Sequence, residues 1–476
     1  MEVDIRWVGF LIAYFILLMI IGYYASRKAK KFEDYTVAGR RASSFHLSWH
    51  FAASYISAAS VVGLMSYQYE YGWSFLAFYT SGMAFGWLLL HILSEHFRKK
   101  VVGHTTADFF AERYYSDKLL RFWIAINYIW LLTVYMVIQY MGIGRVSEVI
   151  LGLPYFWATL IVGLVVTIYV ALGGAWSVLY TDIYQALIMW IGVVIMAPVI
   201  VALCGGFTNM NARLAEINPA LLDITAGGVF PPVTIAHFFI LGSLATASQA
   251  YYHRMFYMAP DKKRVKSIIG IGGVLTAIFY IAIMIGGVGV RVLAPGIDPE
   301  MAFPYAVKNL LPVGLSMIII GAVYAAIMST VDTILLTVGI HVSNDFIGVI
   351  KPISEKKKLI LARLSTLAIG LVALVMALIR PAGIMSIYIF YGVTLPSFIA
   401  APLFAGYFWK RATKEGAIAS SVAGLVTAIL WHGPLKQPFG IPTLFVSLQV
   451  SVIILIVVSL LTSPPPQRVV ERFFKE

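Results

Sequence analysis

The sequence predicts an all-α polytopic membrane protein with two five-helix halves at its core, and three observations carry that expectation. Of the 476 residues, 60% are hydrophobic and only 12% are charged, with a mean hydropathy of +0.85. A water-soluble chain of this length needs far more polar surface. Apolar stretches long enough to cross a hydrocarbon core, which takes about 20 helical residues, recur along the whole chain. Two of them are built of small and hydroxyl residues and stand at corresponding places in the two halves.

Thirteen stretches qualify: 7–26, 46–67, 72–95, 119–144, 155–172, 177–204, 233–257, 267–293, 309–345, 358–379, 384–409, 414–432 and 441–462. The largest outer loops, 205–232 and 293–308, are too short for a soluble domain. Residues 1–476 therefore read as one transmembrane unit: an extra first helix (7–26), a first half (46–204), a second half (233–409) and two final helices (414–462). The first stretch is long enough to span and runs into Arg27, Lys28, Lys30 and Lys31 without a small-residue cleavage site. It reads as a membrane helix rather than a removable signal.

The net charge of +13 raises the possibility of a nucleic-acid surface, and the position of the basic residues decides against it. Alternate loops (27–41, 98–121, 254–266, 351–363, 410–414 and 468–475) hold 28 of the 35 Lys and Arg. Those loops are expected on the cytoplasmic side of a cell membrane, with the N-terminus outside and the C-terminus inside. The charge excess reports topology in lipid and argues against a nucleic-acid partner. A single cysteine, Cys204, excludes an intrachain disulfide and reads as a small apolar helix residue.

Chemistry is expected where the helices stop looking like lipid-facing helices. The second stretch runs Ala52-Ala53-Ser54-Tyr55-Ile56-Ser57-Ala58-Ala59-Ser60-Val61-Val62-Gly63, in which eight of twelve residues are Ala, Ser or Gly. Such a run packs closely and tolerates a break in the backbone ladder. The seventh stretch has the same character from Gly242 to Ala250. Paired interrupted helices at the head of each half point to an inverted-repeat transporter with its site near the midplane. Ordinary tight packing of small residues is the alternative for this feature alone.

In the ninth stretch Ala326, Ser329 and Thr330 stand at i, i+3 and i+4, so one carbonyl and two hydroxyls share a helix face. A hard cation such as sodium wants oxygen ligands. A break near Ala53 to Ile56 would free further carbonyls, giving about five oxygens and no carboxylate. A Ser-Thr pair in a membrane helix also commonly bonds back to its own helix, which is the bland reading. Asp182 and Asp332 are ionisable groups inside the predicted membrane, a functional expectation by default; Asp182 reads as part of an ion exit path, and Asp332 lies to the flank of the Ser329–Thr330 face. The histidines fall at no metal-ligand spacing, and no phosphate loop or nucleophile elbow appears, so no enzyme is expected. His253 and Arg254 read as residues closing the seventh stretch at the cytoplasmic face.

At these residues the chain resembles the sodium:solute symporter family, and within it the sodium/pantothenate branch, from about Tyr14 to Leu461. The resemblance rests on Asp34-Tyr35 and Gly39-Arg40; Tyr55-Ile56-Ser57-Ala58 with Ser60; Gly144-Arg145 with Glu148, Gly152 and Pro154-Tyr155; and Gly173-Gly174 with Asp182 and Gln185. It continues in Ala325-Ala326-Ile327-Met328-Ser329-Thr330 with Asp345, the most specific run, and in Arg411-Ala412 with Lys414, Gly416 and Ala417.

The resemblance implies a LeuT-like fold with one helix before and two after a ten-helix core. It implies sodium as the co-transported ion, held by the backbone of Ala53 and Ile56, the carbonyl of Ala326 and the hydroxyls of Ser329 and Thr330, with Asp182 beside its inward route. Ala326 replaces a hydroxyl through which some relatives bind a second sodium. Solute contacts carry over to Ser57, Ser60, Tyr135, Gln139, Ser248, Gln249 and Tyr251. The implied activity is sodium-coupled symport, by alternating access, of a small organic solute such as pantothenate or a related monocarboxylate. Tyr55 stands where proline carriers have an aspartate, whereas Gln249-Ala250 replaces a Pro-His pair of pantothenate carriers, so the solute stays open. A proline-like amino acid, coupling to protons, a passive channel and a membrane sensor are the alternatives. The short tail after Pro466 is not expected to add a signalling domain.

Overall fold

The computed structural model of the protein describes residues 5–57, 59–95, 97, 100–116, 118–351, 353–381 and 383–475. Lipid leaves the backbone no water to bond to, so a chain this apolar satisfies its amides within helices. No strand occurs among the described residues. Helix α1 is Ile5–Ser26, and α2 (Phe32–Val37) follows in the loop after it. The second stretch is broken into α3 (Ser44–Tyr55) and α4 (Leu64–Tyr71), joined through a wide turn at Ala59–Gly63. Next come α5 (Ser74–Glu95), the short α6 (Thr106–Arg113) and α7 (Leu119–Val146).

Helix α8 (Tyr155–Leu203) is two helices meeting at Gly174, whose φ of 58° and ψ of −148° interrupt the ladder where a loop between stretches five and six is expected. After α9 (Phe207–Ile217), the seventh stretch is again broken, into α10 (Pro232–Ala247) and α11 (Ala250–Met258), with a 40° bend between them. Helices α12 (Lys262–Leu293), α13 (Ala302–Tyr305), α14 (Val313–Ile340), α15 (Gly348–Ile350), α16 (Glu355–Ile379), α17 (Ile384–Phe408), α18 (Lys414–His432), α19 (Thr443–Leu461) and α20 (Gln467–Phe474) complete the chain.

Every one of the thirteen apolar stretches is thus occupied by helix. By length and composition alone, eight helices among the described residues can cross a membrane, or nine with the bent α10–α11 pair. Helix α14 is the centre of the bundle, since every residue from Ile319 to Ile340 is buried. A helix apolar on all sides has no lipid or water face to show and belongs in the core. Helix α1 lies at the edge, where Ile12, Ile16 and Ile20 are exposed one turn apart.

The second broken helix packs against α5 through missing side chains on both sides. A Cβ on Gly82 of α5 would stand 2.2 Å from the Phe239 carbonyl oxygen, and one on Gly242 of α10 would stand 2.8 Å from that of Tyr79. Backbone meets backbone there, as small residues permit in membranes. Gly82→Ala is expected to cost about 1–3 kcal/mol by overpacking, read as a lower unfolding temperature of the purified protein.

Candidate functional site

Helix α3 ends because Ile56 is extended (φ −94°, ψ 123°), which leaves its last carbonyls without intrahelical donors. Helix α14 passes beside that end and presents its hydroxyl pair to it. Ser329 Oγ lies 3.0 Å from the Ala53 carbonyl oxygen and 3.2 Å from that of Ala326. Thr330 Oγ1 lies 2.8 Å from the Ile56 carbonyl oxygen, 3.2 Å from that of Ala326 and 3.5 Å from that of Ser54. The five residues expected to ligate an ion therefore bring their oxygens together, all fully buried and none formally charged. Each hydroxyl also bonds back to its own helix, as the bland reading expects, yet the nearest cross-helix contacts are shorter, 3.0 and 2.8 Å against 3.2 Å. An uncharged set of carbonyls and hydroxyls suits a monovalent hard cation better than a divalent one, which draws carboxylates.

The same break opens a second feature. Tyr55 and Ser60, on either side of it, line a narrow cavity with about 60 Å³ open to the centres of water molecules. Its wall holds nine tyrosines from seven helices, and none of its described lining residues is charged. Tyr135 stacks flat on Tyr391 with ring centres 4.5 Å apart, and Tyr55 stacks on Tyr252 at 5.3 Å. Tyr391 donates to Gln249 Oε1 at 2.6 Å, Ser60 Oγ and the Tyr280 hydroxyl lie 2.8 Å apart, and Tyr55 bonds to Thr246.

Of the residues expected at the solute, Ser60, Tyr135, Gln249 and Tyr251 line this cavity. Ser57, Gln139 and Ser248 are buried but are not among its lining residues. Ser57 sits behind it against Ser60 at 3.3 Å, and the Ser248 carbonyl accepts from the Tyr128 hydroxyl at 2.7 Å. Sequence reasoning missed Tyr79, Tyr280, Tyr388 and Tyr391. Each stands among other aromatics in an apolar helix, and nothing in the spacing separates a cavity wall from packing or an interfacial belt.

Asp182 and Asp332 are both fully buried. Asp332 Oδ2 accepts from the Tyr169 hydroxyl at 2.8 Å, and Asp182 Oδ2 lies 2.5 Å from His50 Nδ1. Among the described residues the second Asp182 oxygen, His50 Nε2 and both amide atoms of Gln185 have no hydrogen-bond partner. Buried polar atoms without partners mark a place that a water or an ion completes. His50, one turn before Ala53, is thus tied to Asp182 and is more than a packed residue.

His253 and Arg254, expected to close the seventh stretch, are both fully buried within the protein. His253 Nε2 lies 2.8 Å from the Ala247 carbonyl oxygen, its Nδ1 lies 3.0 Å from Thr106 Oγ1, and the ring stacks on Phe97 at 4.4 Å. Arg254 Nη1 donates to the Thr36 carbonyl at 3.2 Å, so both residues meet the basic loops 98–121 and 27–41.

Ion pairs close the two ends of α7. At one end Arg121 reaches Asp108 at 2.5 Å and Asp345 at 2.8 Å. At the other, Glu148 bridges Arg145 and Arg380 at 3.2 Å each, with Arg145 and Arg380 lining a wider cavity of about 410 Å³. Tyr67 belongs to the walls of both cavities, so they lie in series.

Two broken helices, an uncharged oxygen cluster at one break and an adjoining cavity define a helical membrane transporter. The profile of the sodium:solute symporter family matches residues 35–424, and the chain belongs to that family. It is 27% identical over 426 residues to the sodium/pantothenate symporter of Escherichia coli (strain K12), covering 87% of this chain and 88% of that protein. It is 26% identical to the osmoregulated proline transporter OpuE of Bacillus subtilis (strain 168), covering 95% and 94%. Among solved structures, a Na+-coupled sialic acid symporter in a substrate-bound outward-open state matches with a TM-score of 0.80 and 17% identity, over 97% of this chain and 98% of that one. The chain is a multi-pass, LeuT-like sodium-coupled symporter and not an enzyme.

Proposed function

We propose that this chain binds one sodium ion through the carbonyls of Ala53, Ile56 and Ala326 and the hydroxyls of Ser329 and Thr330, and uses it to import a small monocarboxylate such as pantothenate. The observation that carries the ion assignment is the meeting of Ser329 and Thr330 with the Ala53 and Ile56 carbonyls at 3.0 and 2.8 Å, across more than 270 residues of chain. Sodium bridging α3 and α14 preorganises the cavity, and alternating access follows when the core rocks around it. Ion and solute then raise each other's affinity by a shared coupling free energy, typically about 1–3 kcal/mol.

The halves 46–204 and 233–409 are proposed as the moving repeats, in thirteen spans with the N-terminus outside. The basic loops support this, since 28 of 35 Lys and Arg fall on one side. The glutamate-bridged arginines then stand at the outer mouth, and the Arg121 pairs at the inner one. Within the cavity, Ser60, Tyr135, Gln249 and Tyr251 are assigned to the solute, with Ser57, Gln139 and Ser248 supporting them from behind.

The cavity wall offers a carboxylate hydroxyl donors but no cation, so sodium would be the nearest positive charge. A proline-like zwitterion is the second reading, favoured by that uncharged wall. Membrane potential separates the two. One charge crossing 100 mV is worth about 2.3 kcal/mol, so a monocarboxylate entering with one sodium is electroneutral, whereas a zwitterion entering with one sodium is driven by the potential. In proteoliposomes with a sodium gradient, pantothenate uptake should be unchanged by an imposed potential. Uptake of proline but not pantothenate, accelerated by a negative interior, would replace the carboxylate reading. Uptake that persists when sodium is exchanged for choline under a proton gradient would replace the sodium reading.

Asp182 is proposed as a stepping point on the ion's inward path, supported by its unpartnered oxygen and by His50. Asp182→Asn is expected to slow turnover by at least about tenfold, as loss of a charge-assisted contact would. Unaltered sodium affinity and turnover would remove that role.

A further inference from the structure

Arg145 and Arg380 come from distant parts of the chain, the last turn of α7 and the residue that follows α16. Yet Arg145 Nη1 and Arg380 Nη2 each lie 3.2 Å from one and the same oxygen, Oε2 of Glu148. Arg380 Nη2 also reaches the other oxygen at 3.3 Å. Both guanidiniums line the wider cavity, whereas Glu148 is not among its lining residues. The chain therefore holds a carboxylate of its own where two cavity-lining arginines converge, and one nitrogen of each fork does the holding. Arginine forks are suited to gripping a carboxylate through several nitrogens at once.

Arg380 is fixed in place, while its occupant is not. Its φ of 52° and ψ of 65° lie in the left-handed region that residues with side chains rarely adopt, and such backbone persists where its surroundings hold it, often at ligand clamps. The guanidinium carbon stands 3.5 Å over the centre of the Tyr155 ring, and the Tyr155 hydroxyl donates to the Ala377 carbonyl at 2.7 Å. The bridge to Glu148 is weak by contrast, because all three side chains are about half exposed and ion pairs in water contribute little. Size points the same way. At about 410 Å³ this cavity falls within the range of small-molecule sites, about 300–1,000 Å³, and the tyrosine cavity at about 60 Å³ does not. Val62, Met141, Val149 and Phe303 supply an apolar wall for the body of an organic acid. The third charged lining residue, Glu300, is exposed and makes no ion pair among the described residues, so water screens it.

We propose that the wider cavity is a receiving site for the incoming solute, in which Arg145 and Arg380 take the solute's carboxylate in exchange for that of Glu148. The solute then passes Tyr67, common to both walls, into the tyrosine cavity. This rests on the reading of the solute as a carboxylate and names the groups that first hold its charge, a task for which the tyrosine wall has no cation. Glu148 is the internal competitor: it keeps the two arginines paired while the site is empty and swings away when a carboxylate arrives. Arg145 and Arg380 are binding residues of the first encounter and leave the sodium ligands untouched.

The test reads the sign of three substitutions. Initial rates of pantothenate uptake are measured in proteoliposomes of the full-length protein under a fixed sodium gradient. Arg145→Gln and Arg380→Gln should each raise the half-saturating concentration about five- to tenfold, the effect of a charged contact discounted for exposure. The maximal rate should stay within about twofold, because binding and not passage is weakened. Glu148→Gln removes the competitor and should lower the half-saturating concentration about two- to fivefold. A bridge that only fastens α7 to α16 predicts the same sign for all three, since each breaks it. A half-saturating concentration that is raised or unchanged in Glu148→Gln, or unchanged in both arginine variants, overturns the proposal. Should the arginine variants fail to fold, Glu148→Gln alone decides by the same sign. Raising the ionic strength from about 0.01 M to about 0.15 M shortens the Debye length from about 30 to about 8 Å, which should slow uptake of dilute pantothenate by the parent more than by Glu148→Gln/Arg145→Gln/Arg380→Gln; equal slowing overturns the proposal. A parent that takes up proline and not pantothenate overturns the monocarboxylate reading alone, and the same signs are then read with proline, which carries the same group. A parent that takes up neither overturns both.

Discussion

Replacing Ser329 or Thr330 by alanine should lower sodium affinity by roughly 10- to 100-fold, since a contact to a charged group is worth about 1.5–3 kcal/mol. Each hydroxyl is one of five oxygens, and three of the four that remain are held in place, because they belong to the backbone of two packed helices. The effect is expected in the sodium dependence of uptake into proteoliposomes, with solute uptake at saturating sodium partly retained. Thr330→Ser keeps the oxygen and should stay close to the parent. The two hydroxyls contact different carbonyls of α3, Ala53 and Ile56, so the double alanine variant should lose sodium dependence altogether. Uptake in either single variant with the parent's sodium dependence would remove the ion from this place.

The second large effect is expected far from any ligand. Gly174 adopts φ 58° and ψ −148°, a conformation that side chains avoid, and an added Cβ would stand 2.4 Å from Tyr35 Cδ2 and 2.6 Å from its carbonyl oxygen. Tyr35 is itself fully buried, its hydroxyl 3.3 Å from Thr366 Oγ1. Gly174→Ala therefore adds about 1–3 kcal/mol of backbone strain and about 1–3 kcal/mol of overpacking, a total of roughly 2–6 kcal/mol. The expected result is little folded protein after solubilisation, and a markedly lower unfolding temperature in what survives. Gly9→Ala in α1, where a Cβ would meet nothing within 4 Å, is the control that should behave as the parent. Equal behaviour of the two variants would mean that the turn at Gly174 is not formed as described.

Gly174 also shows how separate sequence signals join. Gly173-Gly174 and Asp34-Tyr35 are short runs about 140 residues apart, each unremarkable alone. In the fold Tyr35 rests on Gly174, so the loop after α1 is clamped under the turn inside α8. The reach of such a contact is not readable from either run, because nothing local to a glycine pair says which side chain will occupy the space it leaves.

The ion site was more legible than the solute site for a related reason. Three of its five oxygens come from one helix face, where spacing alone brings Ala326, Ser329 and Thr330 together. The other two come from the end of a helix that its own small residues announce. The solute cavity draws its nine tyrosines from seven helices, with Tyr251 and Tyr252 the only neighbours in sequence. Apart from Tyr388 and Tyr391, three residues apart on α17, no spacing links them, and of the nine the resemblance assigned only Tyr135 and Tyr251 to the solute. Ser57, Gln139 and Ser248, also assigned to the solute by the resemblance, are buried but do not line this cavity, a distinction that depends on how each helix is rotated about its axis. Arg254 was read as closing the seventh stretch, and only the fold shows that it is buried there, against Thr337 and the Thr36 carbonyl.

Composition and hydropathy by themselves determined that this chain is helical, that it lies in lipid and where its helices run, because a bilayer permits no other way of satisfying an apolar backbone. The small-residue runs determined where two helices break, since only there is a missing amide bond cheap. Only the tertiary structure decided which atoms meet at those breaks: the Ser329 and Thr330 hydroxyls with the carbonyls of α3, His50 with Asp182, and Arg254 with Thr337 and the Thr36 carbonyl. Those meetings depend on the rotation and tilt of whole helices, which packing among all of them sets and no local stretch of sequence encodes.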